Sequence, residues 1–175
     1  FVMPRSFILI TGGTRSGKSR FAVDLAKPWP GRIAYLATCG APDQEMRRRI
    51  IRHRRARPAR WKTIEHPSDP AKALLRLNGT VGGVILDCLT MYVSELLVHG
   101  DSDAAIQRKV RRLCRAIRTV SYPVLMVTNE VGWSVVPEHA LGRRFRDLAG
   151  LANQIAAGAA DRVYLLVAGI SMQIK

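Results

Sequence analysis

The chain has 175 residues, enough for one domain with a single substantial core, and its 47% hydrophobic and 23% charged residues are ordinary for a globular protein. Its 28 basic residues against 13 acidic ones give a formal net charge of +15, which attracts nucleic acid, phosphorylated metabolites or an acidic membrane. Most of this excess is arginine scattered over several predicted helices, and aromatic residues make up only 6%, so the chain lacks the interleaved basic and aromatic pattern of single-strand binders. We therefore expect no nucleic-acid partner.

The sequence carries no sign of a membrane span or of export. No apolar run approaches the roughly 20 residues that cross a bilayer. Residues 1–6 lack the charged and apolar regions of a secretory signal. The three cysteines, Cys39, Cys88 and Cys114, are far apart and lack metal-ligand spacing, which favours reduced thiols. We expect a cytoplasmic protein.

Short apolar runs alternate with amphipathic segments along the chain. The runs are rich in branched residues and bounded by Gly, Pro or polar residues, which is typical of buried parallel strands. The segments between them have the 3 and 4 spacing of helices with one buried face. This order predicts an α/β fold of the P-loop NTPase type, one domain over residues 1–175, with a mainly parallel sheet and helices on both faces. The predicted strands are 7–11, 33–37, 84–87, 124–128 and 163–167, and the predicted helices are 19–27, 89–97, 106–117 and 145–159.

Polar residues follow the predicted strands at the point where each one ends. In parallel sheets, ligands bind beyond the carboxyl ends of the strands. One edge of the sheet is therefore expected to collect Thr11, Thr38, Asp87, Asn129 and Glu130.

Residues 12–19 match the phosphate-binding pattern G-x-x-x-x-G-K-[ST] at every fixed position. Glycines let backbone amides turn toward phosphates, the lysine reaches the β- and γ-phosphates, and the final hydroxyl ligates Mg²⁺. An apolar strand precedes the motif and a helix follows it, as the motif requires; the alternative is a glycine-rich structural turn. The predicted nucleotide-binding residues are Gly12, Gly13, Thr14, Arg15, Ser16, Gly17, Lys18 and Ser19, with Lys18 catalytic and Ser19 a magnesium ligand.

Asp87 closes the apolar run that begins at Val84. A carboxylate at the end of a buried strand is typical of the acidic residue that holds the metal in P-loop enzymes. The alternative is a helix N-cap, because a helix is predicted from Leu89. The apolar residues before Asp87 favour the metal-binding interpretation.

The segment from Asp43 to Trp61 is rich in arginine. Met46, Ile50 and His53 share one helical face. One interpretation is a histidine at the margin of a packed face with solvated arginines around it. The other is that the arginines neutralise a triphosphate and lower the histidine pKa, which leaves a neutral imidazole as a nucleophile. The arginines are Arg47, Arg48, Arg49, Arg52, Arg54, Arg55, Arg57 and Arg60.

Four other polar residues have weaker patterns. Glu65 precedes Pro67 and is predicted to be a loop carboxylate. His66, His99 and His139 have no consistent partner spacing and are predicted to lie on the surface.

Taken together, these residues resemble the bifunctional adenosylcobinamide kinase / adenosylcobinamide-phosphate guanylyltransferase family of cobalamin biosynthesis. The resemblance runs over nearly the whole chain and does not depend on the P-loop alone. The matching residues are 11–20, 35–38, 45–46, 49–50, His53, 57–58, Trp61, 128–132, 136–138, 145–150, 153–154, 160–161 and 167–169.

The resemblance implies a set of site residues. The guanylylated histidine of the family falls on His53, which favours its role as a nucleophile. The guanine-nucleotide contacts of the family fall on residues 12–19 and on Ala37, Thr38, Cys39, Arg54, Arg55, Ala56, Arg57, Glu65 and Asp87.

The resemblance also implies the reaction and the partners. One activity phosphorylates adenosylcobinamide. The other transfers GMP from GTP through the histidine to adenosylcobinamide phosphate, which gives adenosylcobinamide-GDP. Mg²⁺, held by Ser19 and Asp87, and GTP and ATP as substrates follow from the family, as does a homotrimer. A P-loop kinase of another small molecule and a nucleic-acid-stimulated ATPase are the competing hypotheses.

Overall fold

The computed structural model describes residues 5–40, 44–55 and 57–175, without the side chains of residues 45, 46, 49, 52, 53 and 55. The strands of the described residues are β1 Phe7–Gly12, β2 Ile33–Ala37, β3 Lys62–Glu65, β4 Gly83–Asp87, β5 Val124–Val127, β6 Arg162–Val167 and β7 Ile170–Gln173. The helices are α1 Lys18–Ala26, α2 Gln44–Arg55, α3 Pro70–Arg76, α4 Leu89–Val98, α5 Asp103–Thr119 and α6 Ala140–Ala159. None of these helices is both long and apolar enough to span a bilayer.

The strands form one sheet in the order β3-β2-β4-β5-β1-β6-β7. All neighbouring pairs are parallel except β6 and β7, which are antiparallel. The predicted α/β fold with a mainly parallel sheet is therefore confirmed. Because β5 lies between β1 and β4, the carboxyl ends of these three strands meet at one edge of the sheet.

Alternate residues of β1 face opposite sides of the sheet, and each side is covered by helices. Phe7 and Leu9 are 1% exposed and belong to a large core that includes residues of α3, α4, α5 and α6. Ile8 and Ile10 are 5% and 0% exposed and belong to a smaller core with residues of α1. The predicted helices on both faces are confirmed.

Three elements, β3, α3 and β7, were missing from the sequence prediction. β3 is only four residues long and is half-buried, so it has no continuous apolar run. This strand ends at Glu65, and the prediction that Glu65 is a loop carboxylate is wrong. α3 was missed because it is only seven residues long. Asp69 as its N-cap and Pro70 in its first turn are helix-start signals that could have identified it.

β7 is the one antiparallel strand among the described strands, and the sequence prediction did not include it. It follows β6 after a two-residue turn, Ala168 and Gly169, whose φ values are 51° and 85°. Positive φ at both turn residues is the pattern of a type I′ hairpin turn, and a two-residue hairpin turn makes the next strand run antiparallel. All four residues of β7 are exposed, and it is an edge strand.

Candidate active site

The phosphate-binding loop joins β1 to α1, and two of its glycines have backbone conformations that other residues avoid. Gly12 has φ 146°, and a Cβ atom there would lie 2.3 Å from the carbonyl oxygen of Leu166 in β6. Gly17 has φ 96° directly before the first turn of α1. The glycines therefore allow the chain to turn sharply from the strand into the helix.

The lysine of the motif is held inside this loop. Lys18 is 6% exposed, and its Nζ donates hydrogen bonds to the carbonyl oxygen of Gly13 at 2.5 Å and to Oγ of Ser16 at 3.3 Å. The hairpin turn between β6 and β7 supports the loop from the other side, because the Gly169 N–H donates to the Ser16 carbonyl at 3.1 Å. The amine thus points into the concave side of the loop, where this motif binds phosphate.

Ser19 and Asp87 lie side by side at the end of the loop. Ser19 Oγ donates to Asp87 Oδ2 at 2.7 Å, and the Tyr35 hydroxyl from β2 donates to the same oxygen. The N-cap of α4 is Cys88, so the alternative that Asp87 caps this helix is wrong. Burial, followed by the nearby Asp87 carboxylate, raises the pKa of Tyr35 well above its usual range, so its hydroxyl remains a donor at neutral pH.

This pair of oxygen groups fits a magnesium ion. A hydroxyl and a carboxylate are hard ligands, which Mg²⁺ prefers, and Mg²⁺ in nucleotide sites takes its other ligands from phosphate and water. Across the described residues no group of three or more His, Cys, Asp or Glu side chains could hold a metal by itself.

Arg57 connects the region that follows α2 to this site. Its guanidinium carbon lies 3.4 Å from the centroid of the Tyr35 ring, a cation–π contact. Arg57 Nε and Trp61 Nε1 are buried N–H groups that donate to no partner among the described residues. Both residues line a pocket of about 320 Å³ together with Arg54, Pro58, Ala59 and Thr63.

The end of α2 meets the end of β3. Arg54 donates to Glu65 Oε1 at 3.2 Å, and both side chains are more than half exposed. His53 lies one residue earlier in the last turn of α2. The side chains of His53 and Arg55, and all of Ala56, lie outside the described residues.

The predicted contacts at the end of β2 lie next to Asp87. The Thr38 N–H donates to the Asp87 carbonyl at 3.0 Å, and the Thr38 hydroxyl donates to the Cys88 carbonyl at 2.6 Å. Ala37 is 8% exposed, and Cys39 is half-buried with its thiol near the Gly40 carbonyl. Thr14 and Arg15 are exposed at the tip of the phosphate-binding loop. The structure thus brings these residues to the edge of the sheet at which the parallel strands end. They are residues 12–19, 37–39, 54, 57, 65 and 87.

A cluster of polar side chains surrounds the end of β5, as the positions of Thr11, Asn129 and Glu130 in the sequence predicted. Thr11 Oγ1 donates to Glu130 Oε1 at 2.5 Å, and Asn153 Nδ2 from α6 donates to the same oxygen at 3.1 Å. Sequence reasoning gave Asn153 no role, because a polar residue in a long helix shows no pattern that reveals its partners.

His66 is exposed as predicted, but it has a partner. Its Nε2 lies 2.6 Å from Glu95 Oε1, and the Gly40 N–H donates to the same carboxylate oxygen at 3.0 Å. His66 also has φ 47°, in the left-handed region. Because Glu95 lies 29 residues further along the chain, the sequence around His66 gave no indication of this contact with α4.

The sheet order, the loop between β1 and α1, and the Ser19–Asp87 pair define a P-loop nucleotide-binding protein. The solved structure of a KaiC-like protein from Pyrococcus horikoshii OT3 supports the fold, with a TM-score of 0.58 over 93% of this chain and 71% of that chain at 14% sequence identity.

Sequence relatives are more specific. The family model described as cobinamide kinase / cobinamide phosphate guanyltransferase matches residues 8–174, and the chain belongs to this family. It is 40% identical to the bifunctional adenosylcobalamin biosynthesis protein CobU of Escherichia coli (strain K12), over 96% of this chain and 99% of that protein. It is also 40% identical to the bifunctional adenosylcobalamin biosynthesis protein CobP of Pseudomonas aeruginosa, over 95% of this chain and 96% of that protein.

Proposed function

We propose that this chain, as a single P-loop domain, phosphorylates adenosylcobinamide and then transfers GMP from GTP through a guanylylated His53 to give adenosylcobinamide-GDP. One observation carries the proposal: an unbroken set of contacts runs from the phosphate-binding loop through Asp87 and Tyr35 to Arg57. Arg57 follows closely on the helix that carries His53. A site for one nucleotide thus reaches from the P-loop lysine to the segment of the histidine.

In the kinase reaction, the phosphate-binding loop holds the nucleotide while the γ-phosphoryl group moves to the substrate hydroxyl. The backbone amides of the loop and the Lys18 amine stabilise the charge on the phosphates. The buried position of Lys18 strengthens this contact, because little water competes with it. A magnesium ion held by Ser19 and Asp87 would supply further neutralisation of the phosphate oxygens.

In the transferase reaction, an imidazole nitrogen of His53 attacks the α-phosphorus of GTP. A nitrogen–phosphorus bond forms, the bond to the β-phosphate oxygen breaks, and pyrophosphate leaves with the electron pair. The substrate phosphate then attacks the same phosphorus and displaces the imidazole. Arg54 and Arg57 are two of the described cations next to this segment, and the buried Arg57 N–H at Nε can donate to the nucleotide.

The transferase reaction predicts a covalent intermediate. GTP labelled at the α-phosphate is expected to leave acid-labile, base-stable label on the protein in the presence of Mg²⁺, and His53→Ala is expected to abolish it. His99→Ala is the matched control, because His99 lies at the end of α4 with a ring nitrogen 2.7 Å from the Glu95 carbonyl. Label is measured by denaturing gel after acid and base treatment.

The same assay separates the competing hypotheses. Absence of label on wild-type protein would refute the guanylyltransferase, and persistence of label in His53→Ala would refute the role of this histidine. Phosphorylation of another alcohol with no turnover of cobinamide would favour the small-molecule kinase. ATPase activity that rises with DNA or RNA would favour the nucleic-acid-stimulated enzyme. The net charge of +15 supports this hypothesis, because it attracts nucleic acid.

We also propose a homotrimer, as the resemblance implies. Support comes from exposed apolar side chains on the edge strand β7 and the residues beside it, Val167, Ile170, Met172 and Ile174, which are 46–70% exposed. An exposed apolar edge strand is a liability that burial against a second copy removes. The cytoplasmic location stays a prediction.

A further inference from the structure

The polar cluster at the end of β5 has no role in the nucleotide contacts assigned so far. Its central residue is Glu130, a partly buried carboxylate whose backbone N–H donates to the Gly12 carbonyl at 3.1 Å. Gly12 is the first residue of the phosphate-binding loop. The backbone of Glu130 is therefore hydrogen-bonded to the start of this loop, whereas Ser19 and Asp87 lie at its end.

The cluster holds one oxygen of Glu130 in a fixed position. Oε1 accepts from Thr11 Oγ1 at 2.5 Å and from Asn153 Nδ2 at 3.1 Å. Thr11 is 6% exposed and Asn153 is 9% exposed, so both donors are shielded from water. Hydrogen bonds to a carboxylate are stronger than neutral ones, especially away from solvent.

The orientation of Asn153 is itself determined by its neighbours. Its Oδ1 accepts from the Thr128 hydroxyl at 2.6 Å, and its Nδ2 donates to the Asn129 carbonyl at 3.0 Å. Because Thr128 gives its only proton to Asn153, Thr90 must donate to Thr128 across their 3.0 Å contact. These contacts fix the amide of Asn153 so that its Nδ2 faces Glu130 Oε1.

The second carboxylate oxygen is different. No hydrogen bond reaches Glu130 Oε2 from the part of the chain that the structure describes, and no cation there pairs with Glu130. A carboxylate with one oxygen fixed and the other available beside a phosphate-binding loop has the arrangement of a general base.

We propose that Glu130 is the general base of the phosphoryl transfer, an inference that rests on the proposed function. Glu130 Oε2 accepts the proton of the substrate hydroxyl as that oxygen forms a bond to the γ-phosphorus. The bond from the γ-phosphorus to the bridging oxygen breaks, and the nucleoside diphosphate leaves with the electron pair. The proton on Glu130 then passes to solvent. Thr11 and Asn153 are positioning residues that hold the carboxylate.

Glu130→Gln tests this role with little structural change. The glutamine Oε1 still accepts from Thr11 and Asn153, but the amide that replaces Oε2 cannot take a proton. We expect kcat for adenosylcobinamide phosphorylation to fall about 100-fold or more, the usual contribution of a general base. Nucleotide affinity and the formation of the His53-linked label should stay within about twofold, because neither requires this proton transfer.

Two further variants complete the test. Asp103→Asn removes an exposed carboxylate that pairs with Arg144, and it should leave both activities unchanged. Thr11→Val keeps the side-chain shape but removes one donor to Oε1, so it should lower kcat of the kinase with little effect on KM. If Glu130→Gln does not fold, kcat of Thr11→Val tests the role of Glu130 instead.

The outcomes distinguish the inference from the proposed function. Kinase kcat within about threefold of wild type in Glu130→Gln, or equal loss of both activities in a folded variant, would overturn the role of Glu130. Failure of wild-type protein to phosphorylate adenosylcobinamide at all would refute the proposed kinase itself, and the role of Glu130 with it.

Discussion

At the scale of single residues, the two adjacent glycines that begin the phosphate-binding loop differ in their surroundings. Gly12 has φ 146°, and its added Cβ atom would overlap the Leu166 carbonyl. Gly13 has no positive φ, and its added Cβ atom would meet nothing within 4 Å. The motif fixes a glycine at the first position and leaves the second open, and only the first is constrained by the packing of the sheet.

Gly12→Ala and Gly13→Ala therefore form a matched pair. Gly12→Ala is expected to lower the free energy of unfolding by about 1–3 kcal/mol or more, because it adds backbone strain and a backbone overlap that no side-chain movement relieves. Gly13→Ala is expected to change it by less than about 0.5 kcal/mol. Urea unfolding of both variants measures the difference, and equal stability of the two would contradict the packing argument.

Some site residues could be predicted from the sequence and others could not. Lys18, Ser19 and Asp87 follow from a motif and a strand end, since their spacing along the chain is fixed by local structure. Tyr35 and Asn153 make their contacts with residues 52 and 24 positions away, so nothing near them in the sequence reveals these partners. The orientation of Glu130 likewise depends on α6.

At the scale of elements, Asp161 joins the start of β1 to the end of α5. Its Oδ2 accepts from the Phe7 N–H at 2.7 Å, its Oδ1 accepts from Arg118, and its own N–H donates to the Phe7 carbonyl at 2.8 Å. The Phe7 N–H, followed by Arg118, lowers the pKa of Asp161 below its ordinary value of 3.8, although burial opposes this shift. A carboxylate whose pKa is lowered in the folded state stabilises the fold wherever it is ionised.

Asp161→Asn is expected to reduce the free energy of unfolding at neutral pH by about 0.5–1 kcal/mol, a small value because the side chain is 41% exposed. The deficit should stay constant above the unfolded pKa, near 3.8, and shrink as the pH falls through the lower folded pKa.

Urea unfolding at pH 7 and near pH 3.5 gives the comparison for Asp161→Asn. The control is Asp24→Asn, whose exposed carboxylate pairs with Lys27 on the same helix. A deficit that grew with acidity would show that the charge of Asp161 does not act in this way.

At the scale of the whole molecule, the two edges of the sheet differ. β3 is a short edge with charged residues at both ends, whereas β7 is an edge with exposed apolar side chains. Charge protects an edge strand from association, and an exposed apolar edge promotes it. The β7 edge is therefore the surface on which the proposed trimer depends.

Sedimentation equilibrium is expected to give three times the chain mass of 19.4 kDa. Ile170→Lys should shift the protein toward monomers, because it places a charge on the buried face of the proposed contact. Val98→Lys is the control, since Val98 is 74% exposed at the end of α4 and lies away from this edge. A monomeric wild type, or a trimer that Ile170→Lys leaves intact, would refute the β7 contact.

The sequence by itself determined five of the seven described strands, the phosphate-binding loop and the family, because these depend on apolar runs, glycine positions and motifs that are local in the chain. The tertiary structure decided the order of the strands, the antiparallel β7 and the contacts that join separate segments into one site. Tyr35 reaches Asp87 and Arg57 only because β2 and β4 are neighbours in the sheet. Glu130 is oriented only because α6 packs Asn153 against the end of β5. Local pattern fixes what each segment is, while the burial of two apolar faces fixes which segments meet.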